Sequence, residues 1–419
     1  MQIDTTVSNR TGPTSPRVLL TDTNRWPSPA RIAIGLAKAG CTVSAICPKH
    51  GHPLHYTSVV QQTFPYGSLY PLEALEAAIK VSEPSIIVPC DDRGVMHLHE
   101  LYDRACNQGA PGVPLASLIE RSLGPSESYP IVSCRWELLK VAREEGIRIP
   151  DTQLLNSVED LEPWQDGHNL PWVLKGNGTF GGRGVRIAYS LDQAANYFSE
   201  ITRLFTASRA IKRAIVNRDP FWLRPWWKKQ KPAVIVQSHI QGRPANCAVV
   251  CWKGNVQAGI AVEVICSDGL TGPATIVRVV ESPAMITAAE LIARRLELSG
   301  FFGLDFVIEE GSRTAYLIEM NPRCTPLSHL QLGKGRDLME AFSAELSSRP
   351  LRENPPVTLN DTIAYFPQAW HSESEFLETS FQDFPEGEPR LIHALLRPPP
   401  NRSLSFCLAS KAGIKLKER

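Results

Sequence analysis

Apolar runs and helical spacing alternate over the first third of the chain. The run RVLLTD at 17–22 predicts a buried strand, and PARIAIGLAKAG predicts a helix that ends at Gly40. The alternation continues through a strand, a helix, a strand and a helix, in the segments CTVSAICP, PLEALEAAIKV, SIIVPCDD and GVMHLHELYDRA. Strands that alternate with helices predict an α/β unit with a parallel sheet over residues 17–125.

Alternating strand patterns dominate a second, α+β unit, which we place at 126–345. VSCRWELLKVAREEG predicts a helix, and PWVLKGNGTFGGRGVRIAYS predicts a hairpin. The segment AVIVQSHIQGRPANCAVVCWKGNVQAGIAVEVI alternates like two or three antiparallel strands. A helical pattern then precedes two further strands, GLDFVIEE and TAYLIEMNPR, joined by a turn at Gly311 and Ser312.

Both ends of the chain differ from these units. Residues 1–16 are polar and lack the apolar core of a signal peptide, so we expect a disordered tail. Residues 346–419 are rich in proline and acidic residues, and they predict an appended C-terminal extension without visible chemistry.

Composition narrows the class of protein. A chain of 419 residues is longer than one hydrophobic core ordinarily supports, so we expect two or three domains. The 44 basic and 43 acidic residues leave a net charge of +1. Such a balance gives no global field that attracts nucleic acid or an anionic membrane. No apolar run reaches the roughly 18 residues of a membrane span. We therefore expect a cytoplasmic protein with neither nucleic acid nor a membrane as partner.

Cysteines, histidines and tryptophans do not by themselves predict a site. The ten cysteines form no CxxC pair, which favours reduced thiols. His97 and His99 are two apart, a spacing that does not put two imidazoles on one helix face, so we expect no metal there. The Trp/Lys-rich loop NRDPFWLRPWWKKQKP at 217–232 is predicted to cover a site, grip a substrate or contact a subunit; its role stays open.

Polar residues follow two of the predicted parallel strands. The first unit looks Rossmann-like, but DTNRWPSPAR stands where a GxGxxG turn would follow the first strand, which argues against NAD. Asp22, Asp91 and Asp92 lie at strand ends, where such sheets place ligands. Capping of the following helices is the favoured interpretation, and a substrate contact is the alternative.

A lysine and a glycine-rich turn stand together in KGNGTFGGRGV. Lys175 ends the first strand of the predicted hairpin, and five glycines crowd the tip. Glycines let backbone N–H groups approach an anion, and lysine adds a point charge suited to phosphate. The lysine precedes the glycines, unlike a Walker loop. A tight hairpin with an incidental lysine is the alternative.

Three side chains with oxygen donors interrupt the last two predicted strands. Asp305 lies in GLDFVI, while Glu319 and Asn321 in YLIEMNPR are two residues apart and therefore share a face. An unpaired inward carboxylate costs several kcal/mol unless a cation or a donor meets it. Oxygen ligands on neighbouring strands suit Mg²⁺, which keeps its waters and nucleotide phosphates.

The lysine before a GGxGV loop, followed about 140 residues later by LIEMNPR, resembles the ATP-grasp superfamily. In motif style the chain is similar to its carbamoyl phosphate synthetase and carboxylate–amine ligase branch. The resemblance covers roughly residues 17–345. It implies a Rossmann-like pre-ATP-grasp domain followed by an ATP-grasp fold of two subdomains, with ATP and Mg²⁺ as cofactors.

The resemblance also implies roles for single residues. Lys175 would contact the α- and β-phosphates of the nucleotide, and Arg135 would contact phosphate from the start of the lid subdomain. Arg323 would steady the transferring phosphoryl group or a substrate carboxylate. The loop that would close over the phosphates contains Thr179, Gly181, Gly182 and Gly184. The magnesium ligands would be Asp305, Glu319 and Asn321.

One departure from the superfamily pattern concerns the nucleoside. Many members carry an acidic residue after the strand that corresponds to AVIV, whereas this chain has Gln237, Ser238 and His239. Their backbone still offers hydrogen bonds to adenine, but they supply no carboxylate for the ribose. Glu263 is a candidate replacement.

The resemblance implies an ATP-dependent ligase that activates a small carboxylate as an acyl phosphate and joins it to an amine. A small-molecule carboxylate and an amine are then the substrates, and a homodimer is an assembly frequent in the superfamily. Two alternatives stay open: an enzyme that phosphorylates bicarbonate or carbamate, and a nucleotide-binding regulatory protein without turnover.

Overall fold

A four-stranded parallel sheet organises the first part of the chain. The computed structural model describes residues 15–178, 184–203, 233–269, 272–371 and 374–396. The sheet order is β3-β2-β1-β4, and all its neighbours are parallel. The strands are β1 (Arg17–Thr21), β2 (Thr42–Cys47), β3 (Val60–Pro65) and β4 (Ile86–Pro89), and the helices are α1 (Ser28–Lys38), α2 (Pro71–Ser82), α3 (Asp92–Asn107) and α4 (Val113–Leu123). The predicted Rossmann-like sheet is confirmed.

The edge strand β3 has no counterpart among the predicted elements. Its sequence VQQTFP is polar, and none of its residues is fully buried. An edge strand half-open to solvent lacks the apolar run that marks a buried strand, so its formation depends on pairing with β2.

A seven-stranded sheet forms the centre of the second part. Its order is β13-β12-β9-β10-β11-β14-β15, antiparallel except for the last pair. Its strands are β9 (Gly242–Trp252), β10 (Asn255–Ser267), β11 (Ala274–Val279), β12 (Gly300–Glu309), β13 (Ala315–Asn321), β14 (Thr362–Tyr365) and β15 (Phe381–Asp383). Helices α9 (Pro283–Arg295) and α10 (Leu338–Leu346) accompany it.

A smaller antiparallel sheet completes the architecture. Its order is β5-β8-β6-β7, with β5 (Thr152–Leu155), β6 (Trp172–Gly176), β7 (Val185–Ala188) and β8 (Val234–Ser238). Helices α7 (Leu161–Gly167) and α8 (Leu191–Arg203) pack on this sheet, whereas α5 (Tyr129–Val132) and α6 (Arg135–Glu144) pack in the core of the large sheet. β6 and β7 form the predicted hairpin, with Lys175 opposite Val185.

The first part shares a continuous hydrophobic core with the large sheet. Side chains of β1, β2 and α1 belong to the same buried cluster as Ala248, Val250 and Phe342. At Gly35 a Cβ atom would lie 2.7 Å from Met339 Cγ, so glycine permits the close approach of α1 and α10. This packing holds the parallel sheet against the large sheet.

The C-terminal extension adds strands to the large sheet. β14 pairs with β11, and β15 continues the sheet beside β14. Helix α11 (Pro389–Leu395) buries Leu391 against Ala30 and Ile34 of α1. The extension therefore contacts both the large sheet and the first part of the chain.

Among the described residues, no helix has both the length and the apolar character needed to cross a membrane. The predicted tail up to residue 14, the loop positions Thr179, Gly181 and Gly182, and the Trp/Lys-rich segment 217–232 lie outside the described residues.

Candidate functional site

Three predicted oxygen donors share one face at the edge of the large sheet. In the antiparallel pair β12–β13, Asp305 lies opposite Glu319 and Gly303 lies opposite Asn321. Paired residues point to the same face of a sheet, and residues two apart along a strand do as well. The pairing thus brings Asp305, Glu319 and Asn321 together.

Two amides hold the Asp305 carboxylate from either side. Asn246 Nδ2 donates to Asp305 Oδ1 at 2.7 Å, and Asn321 Nδ2 donates to Asp305 Oδ2 at 3.0 Å. Burial raises the pKa of Asp305 to about 6, and the charge of Glu319 adds to the rise. Asn246 was not predicted; its only sequence signal is a polar residue at an inward position of β9, opposite Asp305.

Glu319 of the large sheet forms an ion pair with Arg135 at the start of α6. Arg135, the first residue of α6, donates from Nη2 to Glu319 Oε1 and from Nη1 to the Gly176 carbonyl at 3.2 Å. Burial opposes ionisation of Glu319, but Arg135 and Lys175 outweigh it and hold the pKa of Glu319 below its usual value. The carboxylate is therefore charged and already faces a cation.

Lys175 points from the small sheet towards the same strand. Its side chain is buried, and Nζ donates to the carbonyl of Ile318, the residue before Glu319, at 3.4 Å. Burial and the nearby Arg135 charge lower the pKa of Lys175 to about 7, against the opposing effect of Glu319. An anion placed beside this amine would restore its charge.

The hairpin beyond Lys175 closes at its base. Gly176 N donates to the Gly184 carbonyl at 3.1 Å, and Gly178 has a φ of 72°, which favours glycine. Gly184 thus lies within reach of the β6 end. The predicted role of the intervening loop as a lid stays a prediction.

The predicted nucleoside contacts lie at the end of β8 and on β10. Gln237 is buried and donates from Nε2 to Thr152 Oγ1 at 2.9 Å, so its side chain links β8 to β5 within the small sheet. Ser238 ends β8, and His239 is exposed. The backbone at these positions stays the candidate for adenine.

Glu263 is compensated within the protein. It pairs with Arg313 and, at 3.7 Å, with Arg243. Its neighbour Val262 is the residue in register with Asn246, so Glu263 points to the face opposite Asp305. The role of Glu263 as a ribose ligand stays a prediction, because Arg313 and Arg243 already pair with its carboxylate.

Arg323 connects the large sheet with the first part of the chain. Its Nη2 donates to Asn321 Oδ1 at 3.1 Å, and its Nε lies 3.0 Å from Asp92 Oδ2. The backbone supports this junction, because Cys324 N donates to the Pro89 carbonyl at 3.1 Å. Arg323 therefore contacts both the candidate metal ligand Asn321 and the first part of the chain, and its predicted catalytic role stays a prediction.

The other acidic residues at the strand ends are engaged within the first part. Asp91 caps α3 through Gly94 N and accepts from Thr23 and Asn24, and Asp22 lies 2.7 Å from His52 Nε2. Burial raises the pKa of Asp22 to about 8 and lowers that of His52 to about 4. Asp91 is thus a helix cap, as favoured, whereas Asp22 is held by histidine.

Within the ranges that the structure covers, no group of three or more His, Cys, Asp and Glu side chains could hold a metal ion. The two carboxylates and two amides near Asp305 form an incomplete oxygen shell. Such a shell fits a cation that arrives with phosphate oxygens and waters rather than one held by protein alone.

Comparison with known protein families decides the fold. Residues 132–326 match the ATP-grasp domain. This segment is an ATP-grasp domain. It contains Arg135, Lys175 and all the predicted metal ligands, whereas Asp92 and the C-terminal extension lie outside it.

The chain is also similar in sequence to carbamoyl phosphate synthase large chains. The N-terminal section of the carbamoyl phosphate synthase large chain of Aquifex aeolicus is 24% identical over 267 residues, which span 62% of this chain and 43% of that protein. The chain thus corresponds to less than half of that relative.

Solved structures show the same fold around the ATP-grasp domain. The N5-carboxyaminoimidazole synthetase of Staphylococcus aureus complexed with ADP has a TM-score of 0.56 and 12% identity, covering 80% of this chain and 78% of that one. The biotin carboxylase domain of the 2-oxoglutarate carboxylase of Hydrogenobacter thermophilus, in complex with MgADP, ADP and bicarbonate, has a TM-score of 0.56 and 16% identity, covering 81% and 71%.

Proposed function

We propose that the protein is an ATP- and Mg²⁺-dependent ligase that activates a small carboxylate as an acyl phosphate and joins it to an amine, releasing ADP and phosphate. The observation that carries this proposal is the convergence of Lys175 from the small sheet and Arg135 from α6 beside Glu319, with Asp305 and Asn321 on the same face. The ATP-grasp domain and the ADP-bound structural neighbours support it.

The donor set fits magnesium. Asp305, Glu319 and Asn321 offer carboxylate and amide oxygens, the ligands that Mg²⁺ prefers. When bound, the metal would neutralise charge on the phosphate oxygens and so favour transfer of the terminal phosphoryl group. Release of Glu319 from Arg135 would free an oxygen for this purpose.

The basic residues would act on the nucleotide by position and charge. Lys175 is buried and only partly charged near neutral pH in the free protein, so a phosphate beside it would draw a proton onto Nζ. Arg135, once exchanged from Glu319, has a planar fork that suits phosphate. Fixed charges of this kind need little reorganisation during phosphoryl transfer.

Bicarbonate is a second candidate for the acid substrate. One matched relative is a section of a carbamoyl phosphate synthase large chain, and one structural neighbour was crystallised with bicarbonate. Phosphorylation of bicarbonate would use the same nucleotide site. The two candidates differ in which acid stimulates ADP formation. A regulatory protein without turnover is disfavoured, because Lys175, Asp305, Glu319 and Asn321 are all present.

A hydroxylamine trap tests the proposal. The protein is incubated with ATP, Mg²⁺, hydroxylamine and a panel of small carboxylates that includes amino acids. A hydroxamate formed together with ADP supports the ligase, and bicarbonate-dependent ADP without hydroxamate supports the second candidate. Glu319→Gln should abolish either signal, while Glu310→Gln, which changes an exposed carboxylate at the end of the same hairpin, should not. If no acid elicits ADP although ATP binds, the proposal is refuted.

A further inference from the structure

A chain of side-chain contacts runs from the first part of the protein to the candidate metal strand. Asp92 Oδ2 lies 3.0 Å from Arg323 Nε, and Arg323 Nη2 donates to Asn321 Oδ1 at 3.1 Å. Asn321 Nδ2 in turn donates to Asp305 Oδ2 at 3.0 Å. Four side chains from two parts of the fold thus form one network.

Arg323 determines which way the Asn321 amide faces. With Oδ1 turned to Arg323 and Nδ2 turned to Asp305, both ends of the amide have a partner. A flipped amide would set its NH₂ against the guanidinium and its oxygen against the carboxylate, and both hydrogen bonds would be lost. The oxygen that a cation needs therefore stays where Arg323 holds it, with one lone pair left.

Asp92 is the carboxylate suited to hold Arg323 at this junction. Its neighbour Asp91 is fully occupied within the first part, because it accepts from Gly94 N and from Thr23 and Asn24. The Asp92 and Arg323 side chains are only 24% and 22% exposed, so solvent screens their ion pair incompletely. Loss of Asp92 would remove the carboxylate beside Arg323 Nε and leave the guanidinium held, among the described residues, only by Asn321 Oδ1 and by the Cys324 carbonyl, which accepts from Nη1 at 3.2 Å.

We infer that Asp92 is a positioning residue of the nucleotide site: through Arg323 it fixes the Asn321 amide as a metal ligand. The inference rests on the proposed function, since it assigns Asn321 to the metal. Asp92 lies outside the matched ATP-grasp domain, so this contribution comes from the first part of the chain.

Calorimetric titration of the full chain with ADP, in the presence of Mg²⁺ and in the presence of EDTA, tests the inference. Asp92→Asn should weaken MgADP binding by about threefold to tenfold, the scale of a partly buried ion pair, and leave metal-free ADP binding within about twofold. Asp92→Glu should recover most of the affinity. Asp103→Asn, which changes an exposed carboxylate on the same helix, should bind like wild type.

A double-mutant cycle separates positioning from a general structural effect. If Asp92 acts through Arg323, Asp92→Asn should add less than about twofold in a chain that already carries Arg323→Met. Equal weakening with and without Mg²⁺, full additivity in the cycle, or wild-type affinity of Asp92→Asn would each overturn the inference. Thermal unfolding checks each variant, and Asp92→Ser replaces Asp92→Asn if the latter does not fold. Failure of wild type to bind MgADP would instead refute the proposed function.

Discussion

Replacement of Lys175 by methionine should stabilise the free protein while it damages the nucleotide site. The side chain is 5% exposed, and its pKa falls from an ordinary value of 10.5 to about 7 because burial disfavours the charge. The unfolded chain therefore binds this proton more strongly than the folded protein does. At ~1.4 kcal/mol for each pKa unit, burial of the amine costs of order 5 kcal/mol below about pH 7. Methionine has a similar length and no charge to bury.

The gain from Lys175→Met should shrink as pH rises. Between pH values of about 7 and 10.5 the folded lysine is neutral while the unfolded lysine still holds its proton, so wild-type stability increases with pH. The advantage of the variant should fall from of order 5 kcal/mol near pH 6 to about 2 kcal/mol near pH 9. In the same variant, affinity for ADP should drop about tenfold to a hundredfold through loss of a charged donor to phosphate.

Thermal unfolding without nucleotide at the two pH values, followed by calorimetric titration with ADP, measures both effects. Lys80→Met, which changes an exposed lysine of α2, is the control and should shift neither the pH dependence nor the affinity. A Lys175→Met protein that is less stable than wild type at both pH values would refute the argument from burial. Unchanged ADP affinity would refute the assignment of Lys175 to phosphate.

Two further substitutions test the surroundings of the site. Gly303 lies opposite Asn321, and a Cβ atom at Gly303 would lie 2.5 Å from Thr325 Cγ2. Gly303→Ala should therefore destabilise the protein by about 1–3 kcal/mol in unfolding experiments. Adding Thr325→Ala to the same chain removes the clashing methyl group and should restore most of the lost stability. No rescue would contradict the steric argument. Asp383 of β15 forms ion pairs with Arg31 of α1 and with His329. Asp383→Asn should therefore lower the free energy of unfolding by about 3 kcal/mol near neutral pH. The control Asp361→Asn changes an exposed carboxylate of the same extension and should lower it by about 0–1 kcal/mol. Arg31 and His329 hold the pKa of Asp383 below its usual value despite burial, so its stabilisation should fade as pH falls through the titration of this carboxyl; equal costs in the two variants would contradict the argument.

Local patterns in the sequence identify much of the fold and the central residues of the site. The two-residue spacing of Glu319 and Asn321 determines their shared face in any strand, and apolar runs mark β1, β2 and β4. Asn246 has no such mark, because its role depends on the register between β9 and β12. The pairing of Arg135 with Glu319 depends on how α6 packs against β13, which no local pattern encodes.

Contacts between distant segments explain the remaining differences. Asp92 and Asp91 are adjacent in the sequence, yet one faces Arg323 and the other caps α3. Asp383 lies in a segment without visible chemistry, and its partners come from α1 and from the loop after β13. Such long-range ion pairs follow from tertiary packing and not from periodicity.

A crystal structure of the protein grown with ADP and Mn²⁺ as a substitute for Mg²⁺ tests the central claim most directly. We predict an anomalous peak bounded by Asp305, Glu319 and Asn321, ADP phosphates beside Lys175, and Arg135 turned from Glu319 to phosphate. Nucleotide bound elsewhere, or a metal peak away from these three side chains, would contradict the account.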